Sequence, residues 1–150
     1  MGSDPASTVA GVMRTQFIAM APEDNLLEAD RIMRLARVRH LPVVRKGILV
    51  GVISHRDILA ASIAKLEERE PSERLEHLRG IHISQLMESR PYTATADTTL
   101  AEAAQRMLRM KIGCLPVVRV STHGPELIGL LTESDLLRAA YAPDFTEASD

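Results

Sequence analysis

Leu41-Pro42-Val43-Val44-Arg45 returns as Leu115-Pro116-Val117-Val118-Arg119, an offset of 115 − 41 = 74 residues. The same offset carries Met13 onto Met87, Leu26 onto Leu100, Glu28-Ala29 onto Glu102-Ala103, and Met33 onto Met107. Further along, Gly51 matches Gly129 and Asp57 matches Asp135, an offset of 135 − 57 = 78. The difference, 78 − 74 = 4 residues, falls within Ser121-Thr122-His123-Gly124-Pro125-Glu126, a composition that predicts a surface loop. Ordered matches at a nearly constant offset mark a duplicated structural unit.

Each copy carries the same run of signals. A short β-like run opens it, Phe17-Ile18-Ala19-Met20 or Tyr92-Thr93-Ala94-Thr95. A helix follows, with Ala29, Ile32, Met33 and Ala36 at three- and four-residue spacing in copy one. Its start is marked by Asn25 with Glu28, and by Thr99 with Glu102 in copy two. Pro42 and Pro116 cannot continue that helix and bias the residue before them toward extended backbone. Val43-Val44 and Leu49 to Ile53 then predict two strands joined at Lys46-Gly47, and a second helix starts after Ser54 or Thr132. The expected organisation is a repeat over 9–62, a helical bridge over 63–82 and a second repeat over 83–140, with fraying ends at 1–8 and 141–150. The charged stretch from Ala60 to Ser84 reads as a solvated connector, with a fresh helix start at Pro71-Ser72-Glu73. A unit of this size buries too little surface to stand alone, so one core shared by both copies is expected.

Composition removes several function classes. Eighteen Lys and Arg against twenty Asp and Glu leave a net charge of −2, a poor match to a phosphate backbone. The lone Cys114 allows no intramolecular disulfide, and no apolar run is long enough for a membrane helix or a secretory signal, so a cytoplasmic protein is expected. His40, His55, His77, His82 and His123 show no metal-binding spacing, and Cys114 reads as a packing thiol. Met13, Met20, Met33, Met87, Met107 and Met110 follow the apolar period and read as core. No catalytic constellation stands out, and the expectation is that the chain is not an enzyme.

The chemistry-bearing candidates are Ser54-His55-Arg56-Asp57 and Thr132-Glu133-Ser134-Asp135, each at a strand-to-helix junction. A hydroxyl residue followed three later by an acid is an ordinary helix cap. The same pair suits a nucleoside: the helix start attracts an anion, and a carboxylate can accept both hydrogen bonds of a ribose diol. Capping by Ser or Thr alone does not need the acid, yet both copies have it.

The Leu-Pro-Val-Val strand, with Gly-x-x-Ser/Thr-x-x-Asp in Gly51 to Asp57 and in Gly129 to Asp135, resembles the cystathionine β-synthase (CBS) domain. Two in tandem resemble a Bateman module. The resemblance implies an α+β fold: two β-α-β-β-α repeats packed about a pseudo-two-fold axis through their sheets. It further implies a regulatory module that binds an adenosyl ligand of the AMP, ADP or ATP class and needs no other cofactor. The signal would pass through a homodimeric disc to a partner protein. The alternatives are a ligand-independent dimerisation or interaction module, or a pair that binds S-adenosylmethionine or NAD.

Two clefts are implied by the resemblance. The first would use Ser54, Arg56 and Asp57 with Tyr92, Thr93, Gly113 and Cys114. The second would use Thr132, Ser134 and Asp135 with Ile18, Ala19, Arg39 and His40. With Arg39, His40 and Ser134, the second is expected to be the stronger phosphate site, although Arg39-His40 also fits a helix C-terminal charge pair.

Overall fold

A computed structural model describes residues 7–63 and 70–145. The expectations for 1–6, 64–69 and 146–150, which include part of the bridge and both chain ends, lie outside the described residues. The described residues hold helices α1 (Leu26–Ala36), α2 (His55–Ile63), α3 (Pro71–Arg79), α4 (Leu100–Met110) and α5 (Glu133–Tyr141). Strands β1 (His40–Arg45) and β2 (Ile48–Ser54) form one antiparallel hairpin, and β3 (Cys114–Ser121) and β4 (Gly124–Thr132) another. The mixed helix and antiparallel-sheet class agrees with the sequence reading.

The helix starts follow the predicted capping chemistry. Asn25 Oδ1 accepts from Glu28 N at 3.0 Å, and Thr99 Oγ1 accepts from Glu102 N at 3.1 Å. Pro71 opens α3 as its first residue, where a missing N–H costs nothing. That helix is more than a solvated connector, because Leu78 joins the buried cluster beneath α1.

The opening β-like runs are shorter than expected. Each contributes one bridge, Met20 parallel to Val43 and Ala94 parallel to Val117. The chain turns away at once, because Asp24 Oδ2 accepts from Ala21 N at 2.8 Å and Thr98 Oγ1 from Thr95 N at 3.0 Å. These side-chain bonds offer the backbone an alternative to the ladder.

The extra residues of copy two do not enlarge a loop. They lengthen the hairpin, with β1 and β2 spanning 6 and 7 residues but β3 and β4 spanning 8 and 9. Two residues added to each strand keep every side chain on its face, which an odd insertion would not. In the shorter hairpin both turn residues, Lys46 and Gly47, have positive φ (52° and 80°), matching the twist of the paired strands.

The chain divides into two compact units, one made of residues 18–91 and the other of 1–17 with 92–150. These are not the sequence repeats. The stretch around Ile83, which opens copy two by sequence, packs in the first unit: Ile83 N donates to Asp24 O at 2.7 Å and Leu26 N to Ile81 O at 3.0 Å. The stretch around Val9, which opens copy one, packs in the other: Val9 N donates to Thr98 O at 2.8 Å. Val9 and Ile83 are both fully buried. The single shared core expected from the repeat size is replaced by two clusters. One gathers Leu26, Met33, Leu41, Ile53 and Ile83, the other Val9, Met107, Leu115, Val117 and Leu131. Of the methionines read as core, Met110 is exposed at the end of α4, while Met13 and Met87 pack at the edge of their clusters.

Candidate functional site

Both hydroxyl-x-x-Asp motifs sit where a strand enters a helix, β2 into α2 and β4 into α5. In the unit of 18–91, Asp57 N donates to Ser54 Oγ at 3.2 Å, and Ser54 N donates to Asp57 Oδ2 at 2.9 Å. In the other unit, Asp135 N donates to Thr132 Oγ1 at 3.3 Å, and Thr132 N donates to Asp135 Oδ2 at 2.9 Å. Hydroxyl and carboxylate therefore close a reciprocal cap. This corrects the reading that capping has no use for the acid, since each acid satisfies the N–H of its own Ser or Thr.

One carboxylate oxygen is thereby committed, and the two units differ at the other. Asp57 Oδ1 has no hydrogen-bond partner among the described residues, and the residue is half-buried. Asp135 Oδ1 accepts from Arg14 Nε at 3.1 Å and faces Arg138 Nη1 at 3.4 Å. The Asp135 side chain is only 2% exposed, so both ion pairs form where water screens little. Arg138 is further steadied over the Phe145 ring, 5.7 Å from its centre.

Arg14 and Arg138 are absent from the residues singled out by sequence. Arg14 reaches Asp135 because Arg14 and Leu130 exchange backbone hydrogen bonds of 2.8 and 2.9 Å, laying the leading segment against β4. A signal for the difference exists in the repeat. Position 14 + 74 = 88 is Glu88, and position 138 − 78 = 60 is Ala60, so the unit of 18–91 has a base at neither place.

The residues that the resemblance joins in one cleft are divided between the units. Thr132, Ser134 and Asp135 belong to one unit, and Ile18, Ala19, Arg39 and His40 to the other. Ser54, Arg56 and Asp57 are likewise in a different unit from Tyr92, Thr93, Gly113 and Cys114. Within a unit, each strand entry lies beside the motif of its own copy. His55 N donates to Arg39 O at 2.8 Å, His40 faces Ser54 across the ladder, and Glu133 N donates to Gly113 O at 3.2 Å. Ile18, Ala19, Arg39, Arg56, Tyr92 and Ser134 are exposed, His40 is half-buried, and Thr93 O is held by Arg106 Nη1 at 2.5 Å.

Cys114 is buried opposite Thr132. Burial, with the nearby Asp135 charge adding to it, pushes the thiol up from 9.0 to about 12. The folded thiol thus stays protonated where an unfolded one ionises, so its contribution is complete below pH 9 and declines as pH rises toward 12. Stability of the native chain is expected to fall faster above pH 9 than that of Cys114→Ala, by up to about 1.4 kcal/mol per pH unit. Urea unfolding across that range reads the difference; identical slopes would show that the thiol is not buried as described. Among the described residues, no group of three or more His, Cys, Asp and Glu is placed to hold a metal ion.

The CBS domain family model matches residues 9–64 and 83–142. The CBS domain-containing protein YhcV of Bacillus subtilis is 26% identical over 130 residues, covering 87% of this chain and 83% of the relative. A CBS domain-containing protein of Dictyostelium discoideum is 36% identical over 101 residues, 67% of this chain and 68% of the relative. An inosine-5'-monophosphate dehydrogenase of Korarchaeum cryptofilum is 34% identical over 79% of this chain, which spans only 21% of that enzyme. Among solved structures, CBSX2 of Arabidopsis thaliana in complex with AMP superposes with a TM-score of 0.73 at 29% identity, covering 92% of this chain and 98% of that one. The CBS pair of MJ0100, in complex with 5'-methylthioadenosine and S-adenosyl-L-methionine, gives a TM-score of 0.70 at 25% identity, covering 87% and 97%. With two matched segments over most of its length, and a reciprocally capped Ser/Thr-x-x-Asp in each, this chain belongs to the CBS domain family as a tandem pair.

Proposed function

We propose that this pair is a regulatory module, not an enzyme, that binds an adenosyl ligand of the AMP, ADP or ATP class. In this reading it works in the cytoplasm as a homodimer and passes the bound state to a partner protein. The observation that carries the reading is the half-buried Asp57, whose Oδ2 caps α2 while its Oδ1 is left without a partner among the described residues. Such an oxygen beside a helix start can accept from a ribose diol. The likeness to CBSX2, whose structure holds AMP, supports the same choice. Self-association is supported by Leu59 on α2 and its repeat partner Leu137 on α5, 46% and 61% exposed, with Tyr141 at 84% on the same helix. Apolar area of that kind is what a second copy would cover.

Thermal melting with AMP, ADP, ATP, S-adenosylmethionine and NAD tests the proposal. A ligand at a hundred times its Kd stabilises the native state by about 2.7 kcal/mol, a rise of roughly 5–10 °C for a chain of this size. A rise with AMP, ADP or ATP, reduced in Asp57→Ala and reduced further in Asp135→Ala, is the expected result. A rise with S-adenosylmethionine or NAD alone would move the ligand to that class, and a flat response to all five would favour the ligand-independent interaction module.

A further inference from the structure

The two half-sites hold their carboxylates in opposite electrostatic states. Asp135 Oδ1 carries two guanidinium contacts, from Arg14 and Arg138, whose side chains are 41% and 27% exposed. At Asp57 the corresponding positions are Glu88 and Ala60, while Arg39 and Arg56 of that unit are exposed and neither pairs with Asp57. A ribose hydroxyl that donates to Asp135 Oδ1 must displace at least one guanidinium from that oxygen, and the guanidinium loses its carboxylate contact there. A phosphate on the same ligand replaces that contact, in the paired geometry that arginine favours. A thioether tail supplies nothing, and a sulfonium adds like charge.

We propose that Arg14 and Arg138 make the Asp135 half-site selective for adenosyl ligands bearing a phosphate, whereas the Asp57 half-site is indifferent to the charge of the tail. The inference rests on the adenosyl reading above and assigns regulation within it. Arg14 exchanges a carboxylate for a phosphate when ligand enters, so occupancy of this half-site also frees the leading segment from its ion pair on α5.

Calorimetric titration of the full chain with AMP and with 5'-methylthioadenosine tests it, in an Asp57→Asn background that leaves the Asp135 half-site. The background chain is expected to prefer AMP by roughly tenfold or more. Adding Arg14→Gln should remove most of that preference, while Arg14→Lys, which keeps the charge, should retain part of it. If Arg14→Gln loses its melting transition, Arg138→Gln gives the same ratio without altering the leading segment. An AMP preference unmoved by either glutamine variant overturns the role of the arginines and leaves the adenosyl reading intact. Failure of the native chain to bind either compound overturns both.

Discussion

Truncating Ile83 to alanine is expected to lower folding stability by about 2–5 kcal/mol, the range for removing a large aliphatic side chain from a closed core. Ile83 is fully buried, and its neighbours Leu26, Leu41 and Ile53 are themselves almost fully covered. The packing around it is bounded by backbone bonds on both sides, Ile83 N to Asp24 O and Ser84 N to Pro22 O, so collapse around a lost side chain is restricted. Denaturant unfolding of Ile83→Ala reads the loss, and a value under about 1 kcal/mol would mean that the segment is not part of this core. Hydrogen exchange adds the direction. Amides of residues 18–91 should exchange faster in Ile83→Ala, whereas Val9→Ala should act on those of 92–145, because each leading segment is packed in the unit of the other copy. The reverse pattern would contradict the division of the chain.

Gly51→Ala is expected to cost about 1–3 kcal/mol, as overpacking of a tight contact does. A Cβ at Gly51 would stand 2.6 Å from Met87 Sδ and 2.8 Å from Glu88 O. The thioether can swing aside, but Glu88 O is backbone and is bonded to Val52 N at 3.0 Å, so the bridge itself must shift. At Gly129 the sulfur of Met13 is equally close, at 2.6 Å, but the nearest backbone oxygen, Arg14 O, is 3.1 Å away. Gly129→Ala should therefore be the milder change in stability. Displacing Arg14 would still disturb its pair with Asp135, so its effect should fall on the half-site. Equal melting points for the two variants would sink this account. The glycine of the Gly-x-x-Ser/Thr-x-x-Asp pattern is thus explained by packing: a side chain there would collide with the segment that crosses the strand.

Much of the local structure was legible because its causes are local. Asn25 and Thr99 cap the helices that follow them, Lys46-Gly47 turns the first hairpin, and Pro71 restarts a helix. The motif residues Ser54, Asp57, Thr132 and Asp135 were legible through the repeat, as was their place at helix starts. The misreadings share a cause in contacts between residues distant along the chain or in choices with two local answers. The extra residues near Thr122 could lengthen a loop or a hairpin, and only strand pairing selects the hairpin. The runs at Phe17 to Met20 and Tyr92 to Thr95 have β composition, yet side-chain bonds that each span three residues turn the backbone away.

The sequence by itself determined the duplication, the order of elements within each copy, the caps and the pair of acids at the helix starts, since repeats and capping patterns are read over a few neighbouring residues. Only the tertiary structure decided which copy each leading segment packs in, and hence that Arg14 and Asp135, separated by 121 residues, share an ion pair. That pairing depends on Val9 and Met13 finding their apolar partners in the later half of the chain, a choice made by burial over long loops and by no local propensity.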